Sequence, residues 1–541
     1  MLETTMKPDK KFRHSDLYLD FIENRQALKG YFFYDEAAEV ARKMKPPKID
    51  RHILCDILER QNISFDAKPE TFRSIETLRQ DDALAVFAGQ QAGLYGGPLL
   101  TLYKAIGIVK KAVLLQSATG RPVVPIFWVA CDDHDFEEIN HIWYLNQEGQ
   151  AEKLAYSPET LKAVPVADIS LDSENDYNQL INRTKENFGK TDFTDELYSR
   201  LFGCYARDEC LVNAFARHLL NILPDFGLVM FCPRNKDVKT ISKSFFKRLV
   251  EGHFRTKELL SETEEKLRND SYHIQAEKKA SAVHLFYHDP ERTPIHHEGD
   301  DFIVGKKKLG LPALLDLIDK YPEKFSPDVL TRPIWQSYLF PVVAQSGGPA
   351  EIAYFSQIGK LFELFNLVQP HIMARPAATI IESRQQDLME EFDIGLADLA
   401  GDTEEVVNKI LSGSFPEEIG HKLKSFRDDV GTEYDELANL VVESFPNISP
   451  MTKQTFGKID AALEHLEKKI HSHHKKQNEV IRNRIYRLES TLLPNKTFQE
   501  RSLNINQFIA RYGFGIVDFI VEKLDANSTD HQLIYLSEYK Y

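Results

Sequence analysis

Four apolar-rich runs set the tightest limit on what this chain can fold into: "LAVFAG" (84–89), "RPVVPIFWVA" (121–130), "DFGLVMFCP" (225–233) and "LVQPHIMARP" (367–376). Each reads as a buried strand, since a strand with one wet face would alternate apolar with polar residues. Amphipathic helical patterns near 99–118 and 207–222 fall between them. Such alternation predicts an α/β fold built on a parallel sheet with helices on its faces. Ligands of a sheet of this class bind at the carboxyl ends of its strands.

At 541 residues there is room for roughly three or four domain-sized units, and 42% apolar with 28% charged residues is an ordinary composition for a packed core. A net charge of −15 argues against a chain whose main task is gripping nucleic-acid phosphates. The five cysteines (Cys55, Cys131, Cys204, Cys210, Cys232) include no CxxC pair, which suggests reduced thiols in a cytoplasm. The opening "MLETTMKPDKKFRHSD" lacks a secretion signal, and no run approaches ~18 consecutive apolar residues. The expectations are a cytoplasmic location, no membrane and no nucleic-acid partner.

The runs are unevenly spaced. Residues 142–205, with polar "LDSENDYNQLINRTKENFGKTDFTDEL", read as an inserted helical subdomain. A second insertion, 271–330, carries alternating "SAVHLFYHD" and "TPIHHEGDDFIVG", which suggest hairpins. The core then comprises 1–141, 206–270 and 331–380, with 494–541 packing back on it.

Residues 381–493 differ in kind. Ile419, Leu423, Phe426, Val430 and Leu437 recur at helical spacing, and after "FPNISP" so do Phe456, Ile459, Leu463, Leu466 and Ile470. Ile481, Ile485, Leu488 and Leu492 continue the pattern past a four-residue stutter near Gln477. The polar "HSHH" (471–474) reads as a solvated or register-breaking turn. This is a helical hairpin of coiled-coil type. A second arm of about forty residues would extend ~60 Å, so a homodimer through this region is expected, against the alternative of an intramolecular pair.

Two stretches carry chemistry. In "AGQQAGLYGGPLLTLYKA" a strand passes through Gly89, Gln90, Gln91, Gly93 and Gly97 into a helix bearing Thr101 and Lys104. The spacing matches neither GxxxxGK[ST] nor GxGxxG. Converging amides and a helix N-terminus suit an anionic ligand group; a tight connection packed on its glycines explains the same residues. In "FWVACDDHDFEEINH" the acids Asp132, Asp133, Asp135, Glu137 and Glu138 surround His134 just past a buried strand, with Asn140 and His141 close behind. Asp133, His134 and Asp135 are the catalytic candidates, able to recognise an ammonium, hold magnesium or act as general base; a solvated helix start is the alternative. A third segment, "FSPDVLTRPIWQSYLFPVVAQSGGPAEIAYFSQ", places Gln345, Glu351 and Tyr354 near a pocket, with Arg332–Pro333 as an extended strand entry. No histidine or cysteine spacing matches structural zinc, so no metal site is expected. Acids beside Cys131 disfavour a thiolate nucleophile there.

These motifs, with "FSPDVLTRP", "GGPAEIAYF" and the tail "FQERSLNINQFIARYG" (498–513), resemble the bacillithiol biosynthesis cysteine-adding enzyme family, in order across most of the chain. The resemblance implies a Rossmann-like core related to class I nucleotidyltransferases, two connecting-peptide insertions and a coiled-coil domain used for dimerisation. It implies an amide-forming ligase that joins L-cysteine to glucosaminyl-malate. Another adenylate-forming ligase and a non-catalytic dimeric scaffold are the alternatives. Activating a carboxylate calls for a nucleotide, so ATP with magnesium is the candidate cofactor, though none is assigned. Where the related nucleotidyltransferases carry two histidines, this chain has Tyr95 and Pro98. The turn is then expected to hold a different anion, such as the malate carboxylates.

Overall fold

The computed structural model describes residues 3–45, 48–132, 135–158, 165–289, 291–411 and 417–540. The chain divides into two compact units, 1–382 with 494–541, and 383–493.

At the centre of the first unit lie five parallel strands: β1 (Leu84–Gln91), β2 (Val123–Ala130), β3 (Val229–Phe231), β4 (Val342–Gly347) and β5 (His371–Ala374). Their spatial order is β3-β2-β1-β4-β5. The chain winds outward from β1 in one direction and returns to its other side with β4, so the switch point lies between β1 and β4. Side chains alternate across the sheet: Leu84, Val86 and Ala88 enter one buried cluster, Ala85 and Phe87 the other. A strand covered on both sides is apolar over most of its length, which is why these runs stand out in the sequence. Helix α1 (Leu99–Thr119) covers the first face. Helices α2 (Arg332–Leu339) and α3 (Pro349–Gln357) cover the second.

The structure differs from the sequence reading in several elements. The segment around Arg332–Pro333 is not extended: Arg332 opens α2, and a proline at the start of a helix loses only an amide that would lack a partner there. The central strand β4 lies in "VVAQSG", which is not among the four runs read as strands. The stretch 142–205 opens on a β-hairpin, His141–Leu145 with Ala151–Ala155, before its helices Glu174–Phe188 and Thr194–Cys204. The hairpins expected in 271–330 do form, and with Phe325–Pro327 they make a five-stranded antiparallel sheet between 282 and 327. The tail returns as strand His531–Tyr535, between Thr5–Met6 and Ala377–Ile381.

In the second unit, α4 (Glu417–Ser444) and α5 (Ser449–Leu492) form a helical hairpin. Arg427 Nε meets Asp460 Oδ1 at 2.7 Å, and the Tyr434 ring lies 5.2 Å from that of Phe456. Helix α5 is continuous through His471–His474, so "HSHH" is neither a turn nor a break. Polar residues continue a helix when flanked by good helix formers such as the lysines around them.

Candidate functional site

Strand β1 ends in Gly89, Gln90 and Gln91, and β4 in Gln345, Ser346 and Gly347. Beyond these ends, at the switch point, lies a cavity of about 550 Å³ lined by Gly89, Gln90, Gln91, Gln345 and Ser346 among others. Gly89 is required by close approach: a Cβ there would stand 2.9 Å from the Trp128 carbonyl oxygen on β2.

Three ion pairs, each with at least one buried partner, organise the walls. Lys104, from α1, donates to Gly89 O at 2.9 Å, Gln90 Oε1 at 3.0 Å and Glu351 Oε2 at 2.7 Å. Glu351 also accepts the Gly348 amide at 2.7 Å. This pair ties the end of β1 to the start of α3 across the switch point. Burial lowers the Lys104 ammonium pKa, and Glu351 opposes that shift. Asp132, just past β2, accepts from Lys239 Nζ at 2.9 and 3.1 Å, and Lys239 also donates to Phe325 O at 3.0 Å. Burial alone would push the Asp132 carboxyl up; Lys239, His288 and Arg234 outweigh it and hold the group below the usual carboxylate range. Arg375, just past β5, donates to Glu500 Oε1 at 2.6 Å, and Glu500 Oε2 accepts the Ala378 amide at 3.0 Å.

The charges do not balance. Lys104, Lys278, Arg292, Arg332, Arg375 and Arg501 line the cavity against Asp132, Glu138, Asp328 and Glu351. Asp132 and Glu351 are held by Lys239 and Lys104, and Asp328 Oδ2 lies 2.9 Å from His284 Nδ1. With Arg375 offset by Glu500 and Lys278 4.0 Å from Asp328, cations still outnumber acids among the described lining residues, in a chain of net charge −15, and that field favours an anionic ligand. Among the described residues Gln345 Oε1 and Ser346 Oγ are buried and have no hydrogen-bond partner, so the floor has polar atoms for a ligand to satisfy.

Comparison with known proteins bears on this site. The model "Bacillithiol biosynthesis BshC, N-terminal Rossmann-like domain" matches residues 2–376. A second, "Bacillithiol biosynthesis BshC, C-terminal coiled-coil domain", matches 378–536. The chain belongs to the bacillithiol biosynthesis BshC family. It is 32% identical over 500 residues to the "Putative cysteine ligase BshC" of Geobacillus thermodenitrificans, covering 90% of this chain and 91% of the relative. The protein of the same name from Geobacillus kaustophilus is 30% identical over 493 residues, with 90% and 91% covered. That from Bacillus cytotoxicus is 28% identical over 528 residues, with 96% and 97% covered.

In this BshC-family chain the sequence candidates separate into two groups. Gly89, Gln90, Gln91, Lys104, Gln345, Glu351 and Tyr354 line the cleft. Gly93, Gly97, Thr101, Asn140 and His141 are not among its lining residues, nor is the exposed Asp135. Asp133 and His134 lie outside the described residues. Asn140 Oδ1 and His141 Nδ1 are 3.1 Å apart, and burial lowers the His141 pKa.

The glycine turn is the main correction. Gly93 and Gly97 lie so close that a Cβ on Gly93 would stand 2.9 Å from Gly97 Cα. The Gly93 amide donates to Gln91 O, Gly96 to Tyr205 Oη at 2.9 Å, Gly97 to Leu94 O, Leu99 to Leu503 O and Thr101 to Pro98 O. Asn504 Nδ2 holds the Tyr95 and Gly97 carbonyls at 2.9 and 2.5 Å. Amides already committed to protein acceptors do not form an anion cradle, so this turn does not fit the phosphates of a nucleotide. Among the described residues, no three of His, Cys, Asp and Glu gather closely enough to hold a metal ion.

Sequence reasoning missed Lys239, Arg375 and Glu500 and misassigned Arg332. Arg375 lies near the end of the predicted run 367–376, so the rule that ligands gather at strand ends would have found it. Lys239 sits on a short helix with no local signal.

Proposed function

We propose that this chain joins L-cysteine to glucosaminyl-malate through an amide bond, completing bacillithiol. The observation that carries the reading is the surplus of cationic side chains around the switch-point cleft. Both substrates are carboxylates, and the malyl part brings two, so Arg332, Arg375, Lys278, Arg292 and Arg501 are proposed to bind them. Gln345 and Ser346 are proposed to pair with uncharged polar groups of the sugar. Lys104 acts by positioning, since its donors already meet Gly89, Gln90 and Glu351.

Forming the bond requires a neutral sugar amine, so a base must take its proton as the C–N bond forms. Asp133 and His134 are proposed for that role. Holding the two substrates in one cleft removes several kcal/mol of the barrier through orientation. The C–O bond of the cysteine carboxyl breaks as the C–N bond forms, so that oxygen must leave on an activating group; ATP is proposed as the source of that group, and the turn at 93–97 is not proposed as its cradle. We further propose that the protein is a homodimer through the apolar residues that α4 and α5 leave exposed, including Phe426, Leu437, Leu440 and Leu466. The decisive assay incubates the protein with cysteine and glucosaminyl-malate, with and without ATP, and seeks the amide by mass spectrometry. Product is expected with wild type and not with Asp133→Asn/His134→Gln; no product under any condition overturns the reading.

A further inference from the structure

Cys131 directly follows β2 and Cys232 directly follows β3, neighbouring parallel strands of the core. Their sulfurs are 3.3 Å apart. Cys131 is buried and lines the cleft, whereas Cys232 is half-buried. Cys131 also immediately precedes Asp132, the residue that holds Lys239.

We propose that Cys131 and Cys232 form a reversible disulfide, making this thiol pair a redox modification site on the wall of the cleft. The inference rests on the sulfur geometry and is independent of the reaction proposed above. The two thiols differ in character. The hydrogen bond from Cys131 and the Arg234 amide favour the Cys232 thiolate, and burial pushes the Cys131 thiol up. Cys232 is thus the attacking sulfur and Cys131 the resolving one.

The oxidant is a small aliphatic disulfide. The Cys232 thiolate attacks one of its sulfurs, and the other half leaves as a thiolate that takes up a proton. Cys131, losing its own proton, then attacks the Cys232 sulfur of the mixed disulfide and expels the second half as a thiol. Two protein thiols are oxidised and one disulfide is reduced to two thiols. Drawing the sulfurs to bonding distance pulls on the backbone that carries Asp132, so the change reaches the Asp132–Lys239 pair in the cleft.

The test uses the full chain and oxidised glutathione, followed by alkylation, digestion and mass spectrometry. A peptide containing Cys131 linked to one containing Cys232 is expected, lost on treatment with dithiothreitol, with Cys55, Cys204 and Cys210 alkylated. The Cys131→Ser variant should instead accumulate glutathione on Cys232. Full alkylation of both cysteines in the wild-type chain, or a disulfide between any other pair, overturns the proposal.

Discussion

Arg375 keeps its place in the cleft because Glu500 meets it from the returning tail, 125 positions away in sequence. Burial raises the Glu500 pKa and the guanidinium more than reverses this, leaving the carboxyl below its ordinary value. Glu500→Gln leaves a buried arginine without its counter-ion. It should cost about 3–5 kcal/mol, read from urea unfolding. A loss below about 1 kcal/mol would mean that the pair is not buried as described. Gln345 and Glu351 were legible as polar residues close together in one otherwise apolar segment, 325–357. Sequence reasoning could not find Arg375 with Glu500, or Asp132 with Lys239, because each pair is closed by the fold and neither partner signals the other.

At the scale of elements, four of the five core strands were legible because burial on both faces leaves mostly apolar runs. Strand β4 was hidden by its neighbours: the proline after Arg332 suits an extended segment as well as a first helical turn. The same ambiguity explains the glycine turn, since glycines that admit a ligand and glycines that admit each other look alike in sequence. The long hairpin was legible from its three-and-four spacing. Its exposed leucines carry a prediction of their own. In sedimentation the wild-type protein should run at twice the mass of one chain, and Leu437→Lys/Leu440→Lys at the mass of one. A wild-type protein at single-chain mass contradicts the proposed dimer.

Taken as a whole, the first unit buries histidines that oppose acid. Burial lowers the pKa of His288 to about 3, and of His218, His371 and His531 to about 4. In the unfolded chain each titrates near 6.5, so below that value the unfolded state binds more protons and stability falls. Each histidine costs up to ~1.4 kcal/mol per pH unit between about 6.5 and its folded value. Asp328 and Glu500, held low in the fold, contribute stability above their ordinary values that is lost on further acidification. The melting temperature should therefore drop steadily from pH 7 to pH 5; a flat profile would contradict the burial of these rings.

The organisation of the molecule reduces to an acidic chain that concentrates positive charge where its central strands diverge. Titration calorimetry of glucosaminyl-malate against the wild-type protein and Arg332→Ala tests this most directly. Losing one charge-assisted contact of about 1.5–3 kcal/mol should weaken binding by tenfold or more. Equal affinity for the two proteins would contradict the account.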